Sequence, residues 1–155
     1  MICRSLLLGT VIVAGCADVT NGPATDPSKT LDETVFDCNV QPILVRQCSY
    51  IACHGQAGAA LRVYSPGKLR ATPPQNLDDL TAPLGSDEAH ANFLSATGFA
   101  ATASDASQNY LLLKPLPSSA GGYEHAGGAI YAGGTTDPQY VAIRAWLSGS
   151  GACAN

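Results

Sequence analysis

Phe36, Val40, Ile43 and Leu44 recur at helical spacing and share one face, which predicts an amphipathic helix running towards Gln47. Thr30 with Glu33, and Thr34 with Asp37, each pair a capping hydroxyl with a carboxylate three residues on, so the helix is expected to start there. Pro42 interrupts the pattern and predicts a kink, or a break into two short helices. A second helix is expected near the other end. Asp137 and Pro138 supply its cap and first turn, Tyr140, Ile143, Trp146 and Leu147 its apolar face, and Gly149 its stop. Ser107 followed by apolar residues and closed by Lys114 and Pro115 reads as a short helix. Residues 55–83 read as loop with one or two helical turns, and the glycine-rich stretch 118–138 as loop. No alternating pattern is long enough for a sheet, so an all-α, loop-rich fold is expected, with two amphipathic helices bracketing an irregular middle.

The first residues follow a different pattern. One positive charge at Arg4 precedes an apolar run from Leu6 to Ala14, too short to span a bilayer and suited to an export signal. The ending Val13, Ala14, Gly15, Cys16 resembles the lipobox of bacterial lipoproteins. That resemblance implies cleavage before Cys16, lipidation of its thiol and attachment to a membrane through the acyl chains. Ala17 after the anchor implies outer-membrane sorting, on the periplasmic or cell-surface side. Polar residues with Gly22, Pro23 and Pro27 then suggest a flexible tether. The expected organisation is a signal peptide over 1–15, a lipid-anchored tether over 16–33 and one domain over 34–155.

With 155 residues, one hydrophobic core is the limit to expect. Twelve acidic against eight basic residues, with no Lys/Arg cluster, argue against a nucleic-acid partner. Asp78 with Asp79, and Asp87 with Glu88, read as solvated surface, so no catalytic carboxylate pair is assigned. Tyr110, Tyr123, Tyr131, Tyr140 and Trp146 read as packing residues.

Chemistry concentrates at Cys48–Gly55, CSYIACHG, where two cysteines enclose four residues and His54 follows the second. Covalent haem attachment needs two thiols for the vinyl groups and a following histidine for the iron, usually as C-x-x-C-H. At about 100° per residue, positions five apart differ by roughly 140° around a helix, so Ser49–Ala52 would have to loop out. A Cys48–Cys53 disulfide with an incidental His54 is the rival reading of this motif. Zinc is less expected, since paired C-x2-C spacing is absent. Met1 is the single methionine, so a second axial ligand would be a histidine, His90 or His125. His125 is favoured because four glycines flank it and would let backbone approach a porphyrin, whereas His90 reads as the exposed start of a helix.

Phe36, Val40, Pro42, Ile43 and Leu44 lead into Cys48, Cys53, His54 and Gly55. Ser107 and residues 110–115 follow, then His125, Gly127 and Gly128, and finally Tyr140, Trp146, Leu147 and Gly149. This order resembles the small cytochrome c domains of the planctomycete-type group and related bacterial lipoproteins, over about residues 36–152. The resemblance implies a cytochrome c-like fold with packed N- and C-terminal helices around one haem. It also implies thioethers at Cys48 and Cys53, proximal ligation by His54 and distal ligation by His125. Because the terminal helices of such folds pack together, it further implies a disulfide between Cys38 and Cys153. The expected function is single-electron transfer by one covalent haem c at a membrane surface, with a redox protein as partner and no enzymatic activity. Two readings of other classes stand beside it: a disulfide-stapled lipoprotein acting as a structural or binding module, and a haem sensor with an open distal site.

Overall fold

The structure, a computed structural model, describes residues 31–101 and 103–153. The expected signal peptide, the lipidation site at Cys16 and all of the tether before Leu31 lie outside these residues. Every regular element described is helical: α1 (Glu33–Val35), α2 (Gln41–Gln47), α3 (Leu77–Thr81), α4 (Ser86–Ala100), α5 (Tyr110–Leu113) and α6 (Pro138–Leu147), with three short 3-10 turns. The all-α expectation therefore holds for the described chain. None of these helices is long and apolar enough to cross a membrane.

Leu31, the first described residue, packs against the core. The helix is capped by Asp32, whose carboxylate accepts the Val35 N–H at 3.0 Å, and Thr34 lies inside it. Phe36–Val40 winds as one wide π-helical turn, with the Gln41 N–H reaching the Phe36 carbonyl. Pro42 explains the widening, since its ring would crowd the carbonyl four residues back in an ordinary α turn. The chain is thus distorted ahead of Pro42 without being broken. Phe36, Val40, Ile43 and Leu44 are all buried, as the apolar spacing requires.

Helix α6 follows its sequence signals throughout. Asp137 accepts the Gln139 N–H at 2.9 Å, Pro138 opens the first turn, and Gly149 ends the run at φ 68°. Tyr140, Ile143, Trp146 and Leu147 are buried. The Trp146 ring lies 5.3 Å from that of Phe36, and its indole N–H donates to the Asp32 carbonyl at 3.0 Å. The N- and C-terminal helices are therefore packed together. Cys38 and Cys153 form a disulfide across this junction, with their Cα atoms 5.8 Å apart.

The largest departure from the sequence reading is α4, a 15-residue helix where only a helix start near His90 was expected. Its fully buried positions are Glu88, Asn92 and Ala96, one turn apart, while Phe93, Phe99 and Ala100 pack half-buried against the core. Polar clamps add to this docking. Arg70 donates to Glu88 at 2.7 and 2.9 Å, and Asn92 both accepts from and donates to the Tyr64 backbone at 2.7 and 3.0 Å. Ser95 Oγ accepts the Arg62 N–H at 2.8 Å. Glu88 is thus buried and paired, contrary to the solvated surface expected of it, while Asp78, Asp79 and Asp87 are exposed.

Helix α5 is capped by Asn109, whose side-chain oxygen accepts the Leu111 N–H at 2.9 Å, and not by Ser107. Its Leu111, Leu112 and Leu113 are all buried. Tyr131, Tyr140 and Trp146 pack in the core as expected. Tyr110 and Tyr123 lie outside the core, substantially exposed and with ring centres 6.1 Å apart, Tyr110 lining the cavity described below.

Candidate functional site

Helix α2 delivers Cys48 as its C-terminal cap, with the Cys48 N–H on the Leu44 carbonyl at 2.8 Å. The chain then leaves the helix and turns back. The Cys53 and Gly55 N–H groups donate to the Tyr50 carbonyl at 2.8 and 2.9 Å, and the His54 N–H donates to the Cys48 carbonyl at 3.2 Å. This is the loop-out that the spacing of the cysteines demands. Ser49 points inward and is fully buried, while Tyr50 and Ile51 are 55% and 75% exposed. Gly55 makes the closure feasible, because a Cβ there would stand 2.0 Å from the Ser49 carbonyl oxygen. Both thiols are unpaired, so the Cys48–Cys53 disulfide is not formed in this structure. Burial pushes the Cys48 thiol up to about 11, reinforced by Cys53 and opposed by Lys68.

His125 sits at the start of a turn in which the Gly128 N–H donates to the His125 carbonyl at 2.8 Å. Gly128 takes φ 72°, a left-handed conformation that favours glycine. At Gly127 a Cβ would lie 2.7 Å from His125 Cε1, so the missing side chain is the space into which the imidazole folds.

The two imidazoles come together although 70 residues separate them in sequence: their ring centres are 6.1 Å apart and their planes 19° from parallel. Each Nδ1 faces a backbone carbonyl, that of Leu61 at 2.9 Å for His54 and that of Gly128 at 3.3 Å for His125. A carbonyl only accepts, so Nδ1 carries the proton of each neutral ring and Nε2 keeps its lone pair. This is the arrangement by which a protein orients an imidazole as a metal ligand. Burial lowers the His54 pKa, with the Leu61 bond opposing and His125 adding to the lowering, so the neutral ring is favoured.

Two adjoining cavities, of about 160 and 220 Å³, share Cys48, His54, Pro115, His125 and Ile130 in their walls. Ile43, Leu44, Leu61, Phe99, Leu111 and Ile143 give the first a mostly apolar lining, with Tyr110, Lys114 and Tyr131 also in its wall. Cys53 faces the second. The fold thus gathers all four expected cofactor residues, Cys48, Cys53, His54 and His125, around one space. His90 is elsewhere, with Nδ1 on Glu33 at 2.7 Å and its ring against Phe93, and it lines neither cavity.

Among the described residues no group of three or more His, Cys, Asp or Glu could hold a bare metal ion. Two nitrogen donors at an apolar cleft suit a metal whose other ligands arrive with it. The carbonyls of Leu61 and Gly128, and the contacts of Ser49 with its surroundings, were not assigned from sequence; of these only Gly128 carried a signal, in its glycine pair. No protein-family model, curated protein or solved structure matches the chain.

Proposed function

We propose that this chain is a monohaem c-type cytochrome with two histidine ligands, passing single electrons at a membrane surface within a cytochrome c-like fold. The observation that carries the reading is the gathering of Cys48, Cys53, His54 and His125 around one cavity, with both imidazoles held through Nδ1 by backbone carbonyls. Cys48 and Cys53 would hold the haem vinyl groups, and His54 and His125 would hold the iron. Haem c supplies one-electron chemistry when bound. The chain's own part is to exclude water with the leucine and isoleucine walls, to fix both imidazoles through backbone carbonyls, and to set the potential. Two imidazoles favour a lower potential than a histidine–methionine pair.

A sensor with an open distal position is disfavoured by a second imidazole, His125, lining the same cavities as His54. A module stapled through Cys48 and Cys53 is disfavoured by the unpaired thiols of both. Lipidation of Cys16, export to the outer membrane and a redox-protein partner complete the reading; they rest on the sequence resemblance. The test is the mass and optical spectrum of the mature protein made with haem-maturation machinery. One covalent porphyrin and a bis-imidazole spectrum in both oxidation states are expected. A mass without haem, or a methionine-ligated spectrum, rejects the reading.

A further inference from the structure

Lys68 lies outside the cysteine motif, yet its side chain closes the loop between the cysteines. Ser65, Pro66, Gly67 and Lys68 form a tight turn, with the Lys68 N–H on the Ser65 carbonyl at 3.2 Å and Gly67 at φ 72°. Proline followed by a left-handed glycine is the pattern of a type II turn. The turn is itself anchored, since the Gly67 N–H donates to the Leu80 carbonyl at 2.8 Å and the Ser65 N–H to that of Leu69 at 3.0 Å.

From this base the Lys68 ammonium donates to Ser49 Oγ at 2.8 Å and stands 4.0 Å from the centre of the Tyr50 ring. The Ser49 hydroxyl in turn donates to the Val45 carbonyl in the last turn of α2. Ser49 and Tyr50 are the first two of the four residues between Cys48 and Cys53. One cation therefore grips the inward-facing and the outward-facing residue of the same loop. A loop of this length has more ways to close than a two-residue one, and only a few present both thiols and His54 to one space.

We propose, resting on the haem reading above, that Lys68 is the positioning residue of the attachment loop. Its ammonium fixes Ser49 inward and Tyr50 outward, so that the added residues bulge away from the cavity while Cys48, Cys53 and His54 keep a common wall. It lines neither cavity; it acts through Ser49 and Tyr50.

The test compares the full chain with K68M and S49A, each made with and without haem-maturation machinery. In the haem-free chains, amide exchange at Cys53, His54 and Gly55 should quicken about tenfold in both variants, as expected for losing a hydrogen bond, with a cation–π contact also lost in K68M. Amides of α6 serve as the folding control, and S49A, which keeps the lysine, carries the test if K68M fails that control. In the haem-loaded chains, mass and the pyridine-haemochrome spectrum should reveal a fraction attached through one cysteine only. Unchanged exchange at these three amides, or complete double attachment in the variants, overturns the proposal. A wild-type chain without haem rejects the haem reading alone, because the exchange experiment still reports whether Lys68 shapes the loop.

Discussion

The rings of His54 and His125 face one cavity with centres 6.1 Å apart and planes within 19° of parallel, each turned by a carbonyl on its Nδ1. Neither ring is placed by its sequence neighbours alone. His54 is set by the close of the cysteine loop and the Leu61 backbone, and His125 by a glycine turn arriving from beyond α5.

On the haem reading proposed above, replacing His125 by alanine should leave covalent haem in place while abolishing the bis-imidazole spectrum and opening the iron to carbon monoxide. H90A should leave both properties as in wild type, since His90 is engaged with Glu33 at the surface. Absorption spectra of the two variants, with and without carbon monoxide, check this. An unchanged spectrum in H125A would remove His125 as a ligand.

G127A places a methyl group 2.7 Å from His125 Cε1 and must turn the imidazole or shift its loop. On the same haem reading, the expected result is a change in the ligand-field bands and the midpoint potential, with the far-ultraviolet dichroism unaltered. Redox titration and dichroism on the same sample separate the two.

G55A forces a Cβ within 2.0 Å of the Ser49 carbonyl oxygen, a clash with backbone that no rotamer relieves. A loss of roughly 3 kcal/mol is expected, at the upper end of ordinary overpacking. Urea denaturation measures it, and a loss below about 0.5 kcal/mol, the size of an ordinary surface substitution, would contradict the geometry.

The Cys38–Cys153 disulfide closes a sequence separation of 115 residues, so its removal frees most of the folded chain. The double variant C38S/C153S should lose roughly 2–5 kcal/mol. Thermal melts with and without reductant should show the difference in wild type and none in the variant.

Hydrogen bonds from Arg70 hold the Glu88 carboxyl below its usual value of 4.5, against the opposing effect of burial. A depressed folded-state pKa adds stability that is fully present above the unfolded value and is lost as pH falls through the folded one. Stability should therefore decline on acidification below about pH 4.5, and E88Q should flatten that part of the profile while weakening the protein at neutral pH. Denaturation midpoints from pH 3 to pH 7 would show it; identical slopes in the two proteins would refute the assignment.

The elements that could be read in advance are those whose burial is apolar and periodic. Phe36 to Leu44 and Tyr140 to Leu147 declare their buried faces by spacing, and Asp137, Pro138 and Gly149 mark the limits of α6 by local chemistry. Helix α4 was largely missed because, beside Phe93, Ala96, Phe99 and Ala100, it buries Glu88 and Asn92, two polar residues that spacing alone cannot tell from exposed ones. Their partners, Arg70 and Tyr64, belong to an irregular segment whose path no period reveals.

At the site the division is similar. Residue type and spacing were enough to single out Cys48, Cys53, His54 and His125 and to require that Ser49–Ala52 leave the helix. They also set His125 above His90, through the glycines around it. What only the tertiary structure decided is which way the loop bulges, which nitrogen of each imidazole is free, and that a lysine from a separate turn holds Ser49. These depend on contacts between segments distant along the chain, Lys68 with Ser49 and His54 with His125. Local sequence fixes backbone preference, but meetings of this kind are settled only when the whole core closes.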